Sequence, residues 1–131
     1  VYAMTDELNN STMIFLYFAI AAMTIAFDTL YGLCDIDDDK KLGINSTPIW
    51  WGSNTLKIVA CFQFMAIFLL LIVGWQAALK FIWFLGVFFL IGFYLYQHHL
   101  ANQKKYFLAF KNNHWASFYL LMLSVLCFLI I

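Results

Sequence analysis

Four long apolar runs, separated by shorter polar stretches, organise this sequence. They cover residues 11–33, 55–75, 79–96 and 115–131. At 1.5 Å rise per residue, about 20 helical residues cross the roughly 30 Å hydrocarbon core of a bilayer. The first two runs meet that length comfortably, the third is a little shorter, and the last is close to the lower limit. None alternates polar with apolar residues, and all exceed the roughly ten residues of a barrel strand. The pattern therefore predicts an all-α integral membrane bundle of about four transmembrane helices. Residues 1–10 are expected to end an earlier element and form a polar loop. Pro48, the single proline, falls in the loop after the first run.

Composition agrees with this reading. The chain is 65% hydrophobic and 11% charged, whereas a soluble domain is nearer half apolar and about a quarter charged. Its net charge is zero, which gives no reason to expect nucleic acid. No signal peptide opens the chain, and Val1 in place of a start methionine suggests a sequence that begins partway through a longer one. Cys34, Cys61 and Cys127 lack metal-ligand spacing and read as small apolar side chains. Trp50, Trp51, Trp75, Trp83 and Trp115 stand at or near run ends, as an interfacial aromatic belt would place them. All cations are lysines. Lys40, Lys41 and Lys57 flank the first long loop, Lys104, Lys105 and Lys111 lie in the second, and only Lys80 falls on the opposite side. The positive-inside rule puts both long loops in the cytoplasm.

The first loop raises the chemical question. Five of the seven acidic residues lie between Asp28 and Asp39, directly against the membrane. Asp28 and Asp35 are seven apart, and Asp35 and Asp39 four apart. On one continuing helix they form a single stripe of carboxylates, with Tyr31 on nearly the same face. Asp37 and Asp38 point elsewhere and suit a solvated loop. A stripe of acids at a helix C-terminus opposes the helix dipole, and like charges one turn apart repel. A hard divalent cation answers both costs: Mg²⁺ takes one or two carboxylates together with substrate phosphates. A calcium loop fits poorly, because Lys40 and Ser46 stand where the EF-hand needs glycine and glutamate.

The stretch "DTLYGLCDIDDDKKLGINSTPIWWG" resembles the second aspartate-rich motif of the UbiA superfamily of intramembrane prenyltransferases, and within it the 4-hydroxybenzoate polyprenyltransferases. Asp28, Thr29, Tyr31, Asp35, Asp38, Asp39, Gly43, Ser46 and Thr47 are in register with that motif, and Gly32 replaces its usual alanine. "YQHHLANQKKYFLAFKNNHWASF" is similar to the family's C-terminal region. The resemblance covers nearly the whole chain. It implies the last four or so helices of a bundle of about nine. The family's first motif, N-D-x-x-D-x-x-x-D, has no counterpart here, so the chain reads as a C-terminal part holding half of a metal site.

What the resemblance implies for chemistry is transfer of a polyprenyl group from polyprenyl diphosphate to 4-hydroxybenzoate, dependent on Mg²⁺, in the inner membrane of a bacterium or mitochondrion. Asp35 and Asp39 are the expected metal ligands. Asp28 is a third acid, assigned either to the metal or to orienting the aromatic substrate. Tyr31 is assigned to shielding a cation or donating a hydrogen bond, and Lys41, then Lys40, to phosphate. Ser46 and Thr47 are expected to shape the loop or cap the next helix, and Gly43 to permit a turn. His98 and His99 read as interfacial, Gln97, Asn102 and Gln103 as a cytoplasmic helix end, and Asn112–Asn113 as a helix boundary. The rivals are a metal-sensing or ion-conducting membrane protein, a prenyltransferase of the same superfamily acting on another aromatic or isoprenoid acceptor, and a non-catalytic subunit paired with a chain carrying the first motif. The lack of a polar stripe in the other runs argues against the first rival.

Overall fold

The structure, a computed structural model, describes residues 10–130. Of the stretch 1–10 expected as an element end and polar loop, residues 1–9 lie outside them, as does the last residue of the fourth run, while Asn10 opens the first helix. The described residues form six helices and no strand: α1 (Asn10–Cys34), α2 (Ile36–Leu42), α3 (Thr47–Trp51), α4 (Thr55–Gln76), α5 (Phe81–Asn102) and α6 (Tyr106–Ile130), with a 3-10 turn at Gly52–Asn54 joining α3 to α4. Three segments are long and apolar enough to cross a membrane: Ser11–Cys34, Thr47–Gln76 and Phe81–Asn102, of 24, 30 and 22 residues. The fourth expected run falls within α6.

The long helices pack as a closed ring. α1 lies along α4 and α5 along α6, and lighter α1–α6 and α4–α5 contacts complete it. Two apolar clusters fill the ring. One gathers Ala26, Leu30, Leu33, Val59, Leu100, Ala101 and Ala109, from the C-terminal ends of α1 and α5 and the N-terminal ends of α4 and α6. The 35–54 and 103–105 connections therefore sit at one end of the bundle, as the lysine distribution requires. The other cluster, around Leu70, Trp83, Val87, Leu90 and Leu123, fills the remainder.

Two helices begin or end away from their expected limits, for one physical reason. α5 runs on from residue 96 to Asn102, and α6 starts at Tyr106 instead of residue 115. In both cases polar side chains near the expected helix ends are bonded between helices. Gln97 is 1% exposed, takes the Gln63 Nε2 hydrogen on its Oε1, and donates through Nε2 to the Ala109 carbonyl at 2.9 Å. His98 is half-buried and bonds Gln63 Oε1 through Nε2 at 2.9 Å. An amide oxygen only accepts, so Nε2 carries the proton. This corrects the reading of His98 as interfacial; Gln97 does belong to the end of α5, as expected, but is buried there. Asn112 is likewise buried, its Nδ2 donating to Phe93 O at 3.0 Å, so it lies inside α6 and marks no boundary.

The chain His98–Gln63–Gln97–Ala109 ties α4, α5 and α6 where water cannot substitute. Replacing Gln97 by leucine is expected to lower stability by about 1–2 kcal/mol, the usual worth of an interhelical bond in a membrane. Gln63→Leu in the same chain should then cost less than it does alone, because the partner is already gone. Thermal melting in detergent checks this; additive losses would mean that the two amides act separately.

Trp83 also departs from expectation. It is 5% exposed and donates to Leu70 O at 3.0 Å, so it belongs to the core and not to an interfacial belt. Trp50 and Trp75, at 84% and 82% exposed, do stand at the two ends of the Thr47–Gln76 span. Pro48, in the first turn of α3, is buried against Gly32: a Cβ at Gly32 would lie 3.0 Å from the proline ring. Glycine in place of the family's alanine thus lets α3 seat closely on α1.

Candidate active site

The acidic run does not continue α1. The helix ends at Cys34, and Asp35 turns the chain with φ −104° and ψ 7° before capping α2. The single stripe expected through Asp28, Asp35 and Asp39 is therefore corrected: Asp28 stays on α1, and the other two belong to the next helix. The break has an electrostatic reason. Extending α1 would load acids onto its negative end. Restarting at Asp35 puts Asp37, Asp38 and Asp39 in the first turn of α2 and Lys40 and Lys41 in its last, the sense a helix dipole favours.

The D-x-x-x-D core survives the break as one helical turn. The Asp39 N–H donates to Asp35 O at 2.9 Å and the Asp38 N–H to the same oxygen at 3.0 Å. Asp35 and Asp39 stand four apart on this turn, the spacing at which side chains of a helix are neighbours. Gly43 closes the helix in the left-handed region, with φ +70°, and lets the Ile44 N–H reach Asp39 O at 2.9 Å. Both backbone groups of Asp39 are thus held, and the turn expected at Gly43 is present. Ser46 shapes the loop through its carbonyl, which accepts from Ile49 and Trp50 at 3.0 Å each, and Thr47 opens α3.

The carboxylates themselves are available. Asp28 and Asp35 are exposed and Asp39 is half-buried. Among the described residues the one ion pair joins Lys41 Nζ to Asp38 at 2.9 Å, between side chains 73% and 74% exposed. Pairs this exposed contribute little, so Lys41 can be drawn to another anion, while Lys40 is free of such a partner. Asp28, Asp35, Asp37 and Asp39 carry no side-chain hydrogen bond there. No three His, Cys, Asp or Glu side chains converge on a metal position among the described residues. The donor set nonetheless suits Mg²⁺, which needs one or two carboxylates and completes its shell with water and phosphate oxygens.

Below the acidic turn, α1 and α6 frame a groove of about 470 Å³. Thr24, Phe27, Asp28 and Tyr31 fall on one face of α1 by their three- and four-residue spacing, and Thr24 and Phe27 line the groove. Phe110 of α6 stacks on Phe27 at 4.7 Å between ring centroids and leans on Tyr31 at 5.1 Å. This contact holds Tyr31, which is 51% exposed, beside the Asp28 level. On α6 the wall includes Asn113, His114 and Ser117. None of these α6 residues was a sequence candidate. Phe110, Asn113, His114 and Ser117 are spaced three, four and seven apart, a helical stripe that becomes visible once α6 is known to begin at Tyr106.

Comparison with known proteins gives these features a context. The profile of the UbiA prenyltransferase family matches residues 1–123. The 4-hydroxybenzoate octaprenyltransferase of Marinobacter nauticus is 39% identical over 119 residues, which cover 88% of this chain and 40% of that protein. The proteins of the same description from Shewanella woodyi and Shewanella pealeana are 41% and 39% identical over 96 and 111 residues, covering 71% and 82% of this chain. The chain spans 34–40% of the length of these relatives. No solved structure matches it.

Proposed function

The chain belongs to the UbiA prenyltransferase family, and we propose that it forms the C-terminal part of an enzyme that transfers a polyprenyl group from polyprenyl diphosphate to 4-hydroxybenzoate in ubiquinone synthesis. The observation that carries this is the acidic turn: two unbonded carboxylates, Asp35 and Asp39, one helical turn apart at the membrane end of α1, above a groove walled by apolar side chains. The names of its relatives supply the substrates.

Asp35 and Asp39 hold Mg²⁺ in this reading, which when bound lends positive charge to the departing diphosphate. Lys40, and Lys41 once released from Asp38, add cationic contacts to the same phosphates. Asp28 faces the substrate from α1 and orients the aromatic acceptor. Tyr31, propped by Phe110, offers its ring face to the positive charge that develops on the allylic carbon as the C–O bond breaks. The acceptor ring attacks that carbon beside its hydroxyl-bearing position, forming the new C–C bond, and loses a proton to restore aromaticity. Apolar groove walls exclude water from the reacting carbon, and the long isoprenoid tail remains in lipid. The lysine-bearing end then faces the cytoplasm, in the inner membrane, and the first aspartate motif comes from the part of the enzyme preceding this chain.

The test is prenyl transfer by the full-length protein in detergent, with Mg²⁺, 4-hydroxybenzoate and a polyprenyl diphosphate. Prenylated 4-hydroxybenzoate is expected, with loss of product on chelation of the metal. The 131-residue chain alone should form none. No product from the full-length protein, under conditions where the Marinobacter relative turns over, would reject the assignment.

A further inference from the structure

The groove between α1 and α6 is apolar along most of its length but polar at one level. Its hydroxyl groups elsewhere are used locally: Thr24 Oγ1 donates to Ile20 O at 3.0 Å and Ser124 Oγ to Leu120 O at 2.8 Å. Asn113, His114 and Ser117 differ. They lie within four residues on α6, so they share one level of the wall, and none has a hydrogen bond among the described residues. The adjacent asparagines divide their tasks. Asn112 turns to α5 and is bonded to Phe93 O. Asn113 is half-buried and lines the groove, and its Nδ2 is shut off from solvent without a partner among the described residues. An amide buried without a partner destabilises a fold, and nothing in the packing of α6 on α5 needs this one. The terminal torsion of asparagine is soft, so either end of the amide can be turned to a group in the groove.

An isoprenoid chain offers such a group nothing, since it has no polar atom beyond its diphosphate. A small aromatic ring with a hydroxyl does: its body suits walls that include Phe27 and Trp83, and its hydroxyl needs one partner. We propose that the groove holds the aromatic acceptor, with the Asn113 amide bonded to its phenolic hydroxyl. This inference rests on the transferase reading for the identity of the acceptor. It makes Asn113 a specificity-determining residue, retained for the ligand at the expense of stability. A site built to bond a hydroxyl discriminates strongly against the analogue that lacks it.

The experiment is calorimetric titration of the full-length protein with 4-hydroxybenzoate and with benzoate, in the absence of isoprenoid and metal, alongside thermal melting. Asn113→Leu is expected to weaken 4-hydroxybenzoate binding roughly tenfold or more, to leave benzoate binding within about twofold of wild type, and to keep or raise the melting temperature. Asn113→Gln should restore part of the preference. Equal losses for both ligands, no loss for either, or no binding by the wild type would each overturn the proposal. So would a lowered melting temperature, which would show that the amide bonds another part of the full-length protein. If binding depends on Asn113 as described but the wild type transfers no prenyl group, the transferase reading fails and the phenol site stands.

Discussion

Replacing Asp39 or Asp35 by alanine in the full-length protein is expected to lower kcat on the order of 10³-fold, because on the proposed reading each would remove one of two hard oxygen ligands from the position that meets the diphosphate. The geometry makes the pair unequal to its neighbours. Asp39 is held at both its N–H and its carbonyl, so its side chain leaves from a fixed backbone. Asp38 is tied to Lys41 in an exposed pair, and Asp38→Asn should change activity by less than about threefold. Asp37→Asn should be equally mild. A second readout separates ligand loss from misfolding: Mg²⁺ with inorganic diphosphate should raise the melting temperature of the wild type, as any ligand of the native state does, and should not raise that of Asp35→Ala or Asp39→Ala. Near-normal turnover in both alanine variants would remove the metal assignment altogether.

How much of this was legible beforehand depended on whether polar residues were local or bridging. Long apolar runs announced α1 and α4 almost to the residue, because a membrane core tolerates nothing else over that length. The acidic run stands out from its spacing as a candidate for metal chemistry. Its geometry is not legible there, because the spacing fits a continuous helix and a restarted one equally well. The choice between them depends on dipole energetics at Asp35, which periodicity does not carry. His98 and Asn112 are misleading for a different reason. A polar side chain near a run end reads as interfacial or as a boundary unless its partner is known, and the partners here, Gln63 and the Phe93 carbonyl, are 35 and 19 residues away. Trp83 failed in the same way: its indole was assigned to the interface, but the Leu70 carbonyl, 13 residues earlier, satisfies it inside the core. The polar level of the groove was hidden for a related reason: Asn113 and His114 of its wall lie in the part of α6 before residue 115 that reads as loop.

Gly74 carries the largest expected effect on the fold. It lies at the end of α4 where Trp83 of α5 crosses, and its carbonyl accepts the Leu79 N–H at 2.9 Å in the turn between the helices. A Cβ there would overlap the Trp83 pyrrole edge and crowd Phe84 at 3.4 Å. The indole cannot yield by rotating a terminal group, since it is rigid, buried, and anchored to Leu70 O by its only N–H. Relief must come from parting α4 and α5 or from breaking that bond. Gly74→Ala is therefore expected to cost roughly 3 kcal/mol or more, combining overpacking with an unsatisfied indole. Gly92, on the same α5, is the control: nothing stands within 4 Å of a Cβ there, and Gly92→Ala should be neutral or stabilising by up to about 1 kcal/mol through helix propensity. Melting temperatures of the two variants in detergent decide the point. Because Trp83 also lines the groove, Gly74→Ala should weaken 4-hydroxybenzoate binding as well. Equal melting temperatures for the two alanine variants would mean that α4 and α5 do not approach at Gly74 as closely as the Trp83–Leu70 bond requires.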